Sequence, residues 1–92
     1  MDKELEGILS FLERQQLRAT YQAVGEAIGA SARAVGAMLG DRNPRASWVV
    51  AADTGNPTGY KPEQEHPALR KTHQIIRNGS ELMRRMNAEA LQ

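Results

Sequence analysis

The chain contains no cysteine. That absence excludes a disulfide framework, a thiolate metal site and a cysteine nucleophile. Aromatic residues are scarce as well: Phe11, Tyr21, Trp48 and Tyr60 make up 4% of the 92 residues. The core must therefore come from Ala, Val, Leu, Ile and Met, which favours helices over a sandwich or barrel built on aromatic and β-branched side chains. No apolar run approaches the roughly 20 residues that span a bilayer. The opening residues mix acidic and apolar positions and lack the basic-then-apolar order of a secretory signal, so the cytoplasm is the expected compartment. Neither charge sign dominates: 12 Lys and Arg face 11 Asp and Glu, for a formal charge of +1. The length suits one small domain, which buries roughly 60–65% of its unfolded surface.

What is present reads mainly as helix. Leu5, Ile8, Leu9 and Leu12 fall at i, i+3, i+4 and i+7, which predicts an amphipathic helix from about Asp2 to Leu17. Asp2, Glu4 and Glu6 crowd the positive end of its dipole. Thr20 is a good N-cap for a second, short helix with Tyr21, Val24 and Ile28 on one face, ended by Gly29. Ser31 caps a third, with Val35, Met38 and Leu39 apolar, ended by Gly40. Two short helices joined around Gly29-Ala30 are the signature of a helix-turn-helix. Ser47-Trp48-Val49-Val50-Ala51 is the one β-like run, and Asp53 to Pro57 is rich in turn residues. Thr58-Gly59-Tyr60 is expected to return as a second short strand, making the ribbon of a wing. Pro67 suits the first turn of a fourth helix carrying Leu69, Ile75 and Ile76. Gly79 would stop it, and Ser80 would cap a fifth with Leu82, Met83 and Met86. The expected fold is a single mainly α domain over residues 1–92: a winged helix-turn-helix with a short two-stranded β ribbon and C-terminal helices.

Enzyme constellations are sparse. His66 and His73 fit no zinc spacing, no cysteine is there to complete one, and neither a metal nor a cofactor is expected. The glycines form no phosphate loop. Gly36 inside the third helix is unusual, since an internal glycine costs roughly 1 kcal/mol against alanine. It suggests close approach of another backbone, protein or nucleic acid. The formal charge hides a polarity along the chain: residues 1–17 carry four acids and two bases, whereas residues 18–62 carry five bases and three acids. Four of those five bases are arginines, Arg18, Arg33, Arg42 and Arg45, and arginine binds phosphate bidentately and reads guanine. Arg33 stands near the start of the third helix, where the backbone N–H groups of Ala32, Arg33 and Ala34 would face a phosphate. Ala32, Ala34, Gly36 and Ala37 leave that helix slim enough for a groove. Arg18, Arg42, Arg45 and Lys61 are expected to add nonspecific phosphate attraction.

These residues carry a resemblance. The segments Thr20-Tyr21-Gln22-Ala23-Val24-Gly25-Glu26-Ala27-Ile28-Gly29 and Ala32-Arg33-Ala34-Val35-Gly36-Ala37-Met38 come first. Asn43-Pro44, Val49-Val50-Ala51-Ala52-Asp53 and Thr58-Gly59-Tyr60 follow. Together they are similar to the DNA-binding domain of O6-alkylguanine-DNA alkyltransferases. They resemble even more the stand-alone alkyltransferase-like proteins of that superfamily. The match covers about residues 18–60, and Arg-Ala-Val-Gly followed by Asn-Pro is its most specific part. The resemblance implies a winged helix-turn-helix that enters the minor groove. It implies that Tyr21 rotates the phosphate of a flipped nucleotide and that Arg33 fills the gap left by the extruded base. It makes Asn43 a hinge and sets Tyr60 beside the alkylguanine pocket. Base extrusion costs a few kcal/mol, and a planar cationic side chain is a sensible substitute for the lost stacking.

The departures are as informative. The enzymes carry Pro-Cys-His-Arg before Val-Val, and the alkyltransferase-like proteins carry Trp in place of the Cys. Here Arg45-Ala46-Ser47-Trp48 precede Val49. Ungapped, Ala46 stands at the nucleophile, Ser47 at the histidine and Trp48 at the arginine; a gap would instead put Trp48 at the nucleophile. In both alignments the alkyl acceptor and its activating base are missing. Trp48 either packs in the core as a strand residue or lines the former pocket.

The resulting expectation is a non-enzymatic DNA-binding protein. Its DNA-binding residues are Tyr21, Ser31, Ala32, Arg33, Ala34, Gly36, Arg42 and Arg45, and its pocket or hinge residues are Asn43, Ala46, Ser47, Trp48 and Tyr60. Its partner is double-stranded DNA, plain or alkylated, together with a repair protein to which an O6-alkylguanine lesion is handed. The rival expectation is a protein-interaction module that kept the fold and presents Leu82, Met83 and Met86 to a partner. An enzyme would require a hidden pocket joining Ser47 to His66 or His73.

Overall fold

The computed structural model describes residues 3–90; Asp2, at the expected start of the first helix, lies outside them. Helix α1, Lys3–Gln15, buries Leu5, Ile8, Leu9, Phe11 and Leu12 on one face, as the spacing predicts. Its end is a Schellman turn: Gln16 takes a left-handed φ of 55°, and the Leu17 N–H reaches back to the Leu12 carbonyl at 3.1 Å. Leu12 and Leu17 are both buried beneath that turn.

Leu17 delivers the chain into a strand that the apolar pattern does not reveal. β1, Arg18–Thr20, is buried throughout and is the central strand of a three-stranded sheet. β2, Val49–Val50, and β3, Ile75–Ile76, flank it, both parallel to it. Ala19 pairs with Val49 on one side and with Ile76 on the other. The expected two-stranded ribbon is therefore replaced. Val49–Val50 pairs with β1, and Thr58-Gly59-Tyr60 is turn and loop. Ile75 and Ile76, expected on a fourth helix, form a strand instead, and the chain after Pro67 makes only a 3₁₀ turn at Leu69–Lys71. The physical reason is register. Adjacent isoleucines with Gln74 before them and Arg77 after them suit a short sheet edge better than a helix face.

The middle of the chain forms as the capping residues predict. α2, Tyr21–Ile28, starts on Thr20, whose Oγ1 accepts the Ala23 N–H at 3.0 Å, and ends on Gly29 with φ 76°. α3, Ala32–Leu39, starts on Ser31, whose Oγ accepts the Ala34 N–H at 3.0 Å. The turn between them is tight enough to require Gly25, where a Cβ would lie 2.3 Å from the Ala30 carbonyl oxygen.

α4, Gly79–Ala90, is the last helix. Its cap is Asn78, not the expected Ser80: Asn78 Oδ1 accepts the Glu81 N–H at 2.8 Å. α4 packs across α2. A Cβ on Gly79 would lie 2.5 Å from Glu26 Cβ, so only glycine allows that approach, and the Gly79 N–H is held by Glu26 Oε1 at 2.7 Å. At the far end Glu89 meets Arg14 at 2.5 Å and Gln15 at 2.6 Å, joining α4 to α1. The result is a mainly helical body, with a Cα radius of gyration of 11.9 Å, wrapped around a minimal parallel sheet.

Candidate functional site

The α2–α3 unit presents one side of α3 to solvent. Val35 and Leu39 point into the core, which leaves Ala32, Arg33, Gly36 and Ala37 exposed. Every exposed side chain on that face except Arg33 is a methyl group or smaller. Arg33 makes no hydrogen bond or ion pair with the described residues. At the helix start, Ser31 already satisfies the Ala34 N–H and, through its carbonyl, the Val35 N–H. Of the three amides expected to face a phosphate, those of Ala32 and Arg33 remain for the positive end of the dipole.

Next to this face lies an open groove of about 480 Å³, lined among others by Tyr21, Arg33, Gly36, Arg42, Thr58 and Tyr60. The sequence singled out five of these six. Thr58 and Gly40, which also line the groove, are marked in the sequence only as part of the expected return strand and of the resemblance and as a helix end, not as site residues. Among the described residues no acidic side chain lines it. Tyr21, the first residue of α2, is half-buried against the core and underlies α3. Within the chain no described backbone outside α3 comes close to Gly36: the nearest such heavy atom to a Cβ there is Tyr21 Cε1, at 4.0 Å.

The far wall of the groove is the loop over residues 51–60, and it is pinned from the front by two residues. Arg42 Nε donates to the Thr58 carbonyl at 3.2 Å, and its guanidinium lies over Gly59, whose φ is 70°. A Cβ at Gly59 would lie 2.7 Å from the guanidinium. Tyr60 Oη accepts the Asn43 N–H at 3.4 Å. The Tyr60 phenol is held above its ordinary pKa, chiefly by burial and slightly by Tyr21, against the opposing pull of the Asn43 N–H and the Arg42 charge. Asn43 also organises its own turn. Its Nδ2 donates to the Asp41 carbonyl at 2.9 Å, and its Oδ1 accepts the Ala46 N–H at 3.0 Å.

Other expected site residues are drawn elsewhere. Ala46, Ser47 and Trp48 form a 3₁₀ turn and are buried. Trp48 is a core residue, fully enclosed and 5.0 Å from the His66 ring centre, and it does not line the groove. Ser47 Oγ donates to the Pro44 carbonyl at 2.5 Å and accepts the backbone N–H of His66 at 2.9 Å. It does not meet the His66 ring, whose Nδ1 accepts the Ala68 N–H. No serine–histidine pair is assembled there.

Two of the four arginines are also absorbed by the fold. Arg45 pairs with Glu6 and Ser10, fastening α1 to the turn before β2, and its guanidinium also meets the Glu6 carbonyl at 3.2 Å. Arg18 is buried in β1 and donates to the carbonyls of Gly55 (2.5 Å) and Leu69 (2.7 Å) and to Asn56 Oδ1 (3.1 Å). A sequence reading that counts charge cannot separate these structural cations from free ones, because the separation depends on which side of β1 the chain returns. The rival apolar surface also dissolves. Leu82 is fully buried, Met86 packs on the core, and Met83 alone of the three is exposed, at 44%.

No protein-family model, curated protein or solved structure matches this chain.

Proposed function

We propose that the chain is a non-enzymatic DNA-binding protein that docks the exposed face of α3 on duplex DNA, inserts Arg33 and orients a phosphate with Tyr21. In this reading α2–α3 is the helix-turn-helix, and the pinned 51–60 loop stands where a wing would. The observation that carries it is Arg33. It is an exposed, unengaged cation on a helix face otherwise reduced to small residues, beside a groove walled by two phenols and a second arginine and free of acids. Such a face lets a backbone come close and offers it positive charge. The resemblance to alkyltransferase-like proteins supplies the substrate class: duplex DNA carrying O6-alkylguanine, bound without alkyl transfer and left for a repair protein.

Fluorescence anisotropy on a plain duplex and on one carrying O6-methylguanine tests the reading. The expected result is binding that weakens steeply with salt, as phosphate contacts require, and tighter binding to the alkylated duplex. Equal affinity for both removes lesion recognition and keeps DNA binding. No binding at low salt removes both.

A further inference from the structure

A second cavity, of about 760 Å³, is lined by the 51–60 loop together with residues of β1 and of the segment from Glu65 to Ile75, and shares Tyr60 with the first groove. Its volume suits a small organic ligand. Three of its lining residues are nitrogen bases: Arg18, Arg70 and His73. The one carboxylate among the described residues on its wall, Glu65, is engaged by Arg70 Nε at 3.3 Å. That contact leaves both terminal nitrogens of Arg70 without a partner among the described residues. His73 likewise has none.

Arg18 sets the electrostatics. It is 6% exposed, its partners are three neutral oxygens, and its Nε is buried with no partner. Desolvation lowers its pKa, opposed only by the field of Glu65. A guanidinium taken out of water and hydrogen-bonded only to neutral oxygens, with Glu65 acting on it through space and itself held by Arg70, leaves a positive potential beside it. Asn56 adds a donor. Its Oδ1 is committed to Arg18, so its Nδ2 is left free to donate.

We propose that this cavity is a binding site for a small oxyanion-bearing ligand, a phosphate or carboxylate held by Arg70, His73 and Asn56 above Arg18. Gly55 and Asn56 belong to the loop that walls the first groove, so an occupied cavity also stiffens that wall. The inference is independent of DNA binding.

Trp48 is the single tryptophan and is fully buried, so its fluorescence reports unfolding. Melting is followed while orthophosphate, a nucleoside monophosphate or citrate is added at constant ionic strength made up with chloride. The expected result is a rise in Tm with at least one of the three that grows with the logarithm of its concentration above Kd, about 5 °C or more at tenfold excess over Kd. The double variant Arg70→Gln/His73→Gln, altered only at exposed positions, should fold and lose that rise. Amide signals of Gly55 and Asn56 should shift with the same ligand in wild-type protein. Orthophosphate acting alone marks a free-anion site; the monophosphate or citrate acting alone marks an organic ligand of that class. No rise with any of the three, an equal rise with chloride, or a full rise in the double variant overturns the proposal.

Discussion

A Cβ added to Gly36 would stand 4.0 Å from Tyr21 Cε1, an ordinary van der Waals contact, with no other described atom outside the helix backbone nearer. The fold therefore does not need glycine there, although glycine in a helix interior costs roughly 1 kcal/mol against alanine. Gly36→Ala should raise stability by about 0.5–1 kcal/mol, seen as a higher Tm. If the α3 face meets DNA, the same substitution should weaken duplex binding severalfold, and Gly36→Leu should abolish it while the protein stays folded. Unchanged affinity in Gly36→Leu would show that DNA does not approach this face.

Gln16 offers a test without functional overtones. It holds a left-handed φ of 55° at the C-terminus of α1, where glycine is the residue of choice. An L-residue in that conformation costs about 1–2 kcal/mol, part of which glycine returns through the entropy of its unfolded state. Gln16→Gly should stabilise by about 0.5–1 kcal/mol, a rise of roughly 2–8 °C in the Tm of a domain this size. Calorimetry decides it: a lower Tm would mean that the Schellman turn is not what ends α1.

The local signals of the first forty residues are the reliable ones, whereas those at Pro67, Gly79 and Ser80 mislead. Thr20, Ser31, Gly29 and the Leu5–Leu12 stripe act over one or two helical turns, and each sits where its chemistry requires. Val49–Val50 is legible as the β-like run, whereas the central strand and the parallel pairing are not, for a physical reason. Leu17-Arg18-Ala19-Thr20 alternates over too few residues to stand apart from the lead-in to the Thr20 cap, and it becomes the central strand only because Val49–Val50 and Ile75–Ile76 return beside it. The burial of Arg18 is hidden for the same reason, since a buried arginine is recognisable only once its carbonyl partners, 37 and 51 residues away, are in place. The groove was more legible than the buried turn. Tyr21, Arg33, Gly36, Arg42 and Tyr60 come together, whereas Ala46, Ser47 and Trp48 turn inward to complete the core.

The Glu89 carboxylate is held below its ordinary pKa by hydrogen bonds from Arg14 and then Gln15. A carboxylate whose folded pKa is depressed adds stability that is fully present above its unfolded pKa, about 4.3, and is lost as pH falls through the folded value. Wild-type protein should therefore melt slightly above Glu89→Gln at neutral pH, and the gap should close in acid below about pH 4. The pair is solvent-exposed, so added salt should also narrow the gap. A gap that persists unchanged into acid would mean that the carboxylate charge is not its origin.

Arg33 and Arg45 are separated by what they touch, and their alanine variants should fail in opposite ways. Arg45 binds Glu6 and Ser10 across to α1, so Arg45→Ala should cost about 1–2 kcal/mol of stability. It should leave duplex affinity and its salt dependence close to wild type. Arg33 touches no described partner, so Arg33→Ala should leave Tm within about 1 °C, as expected of a surface substitution that removes no contact. Its duplex affinity should fall tenfold or more, and its salt slope should be shallower by about one phosphate contact. Arg33→Lys separates the two parts of the proposed role. If Arg33 supplies only charge, lysine should restore binding; if its planar guanidinium replaces a stacked base, lysine should restore the salt slope but not the affinity. Arg33→Ala binding as tightly as wild type, in a protein that binds DNA, would place the interface elsewhere than on α3.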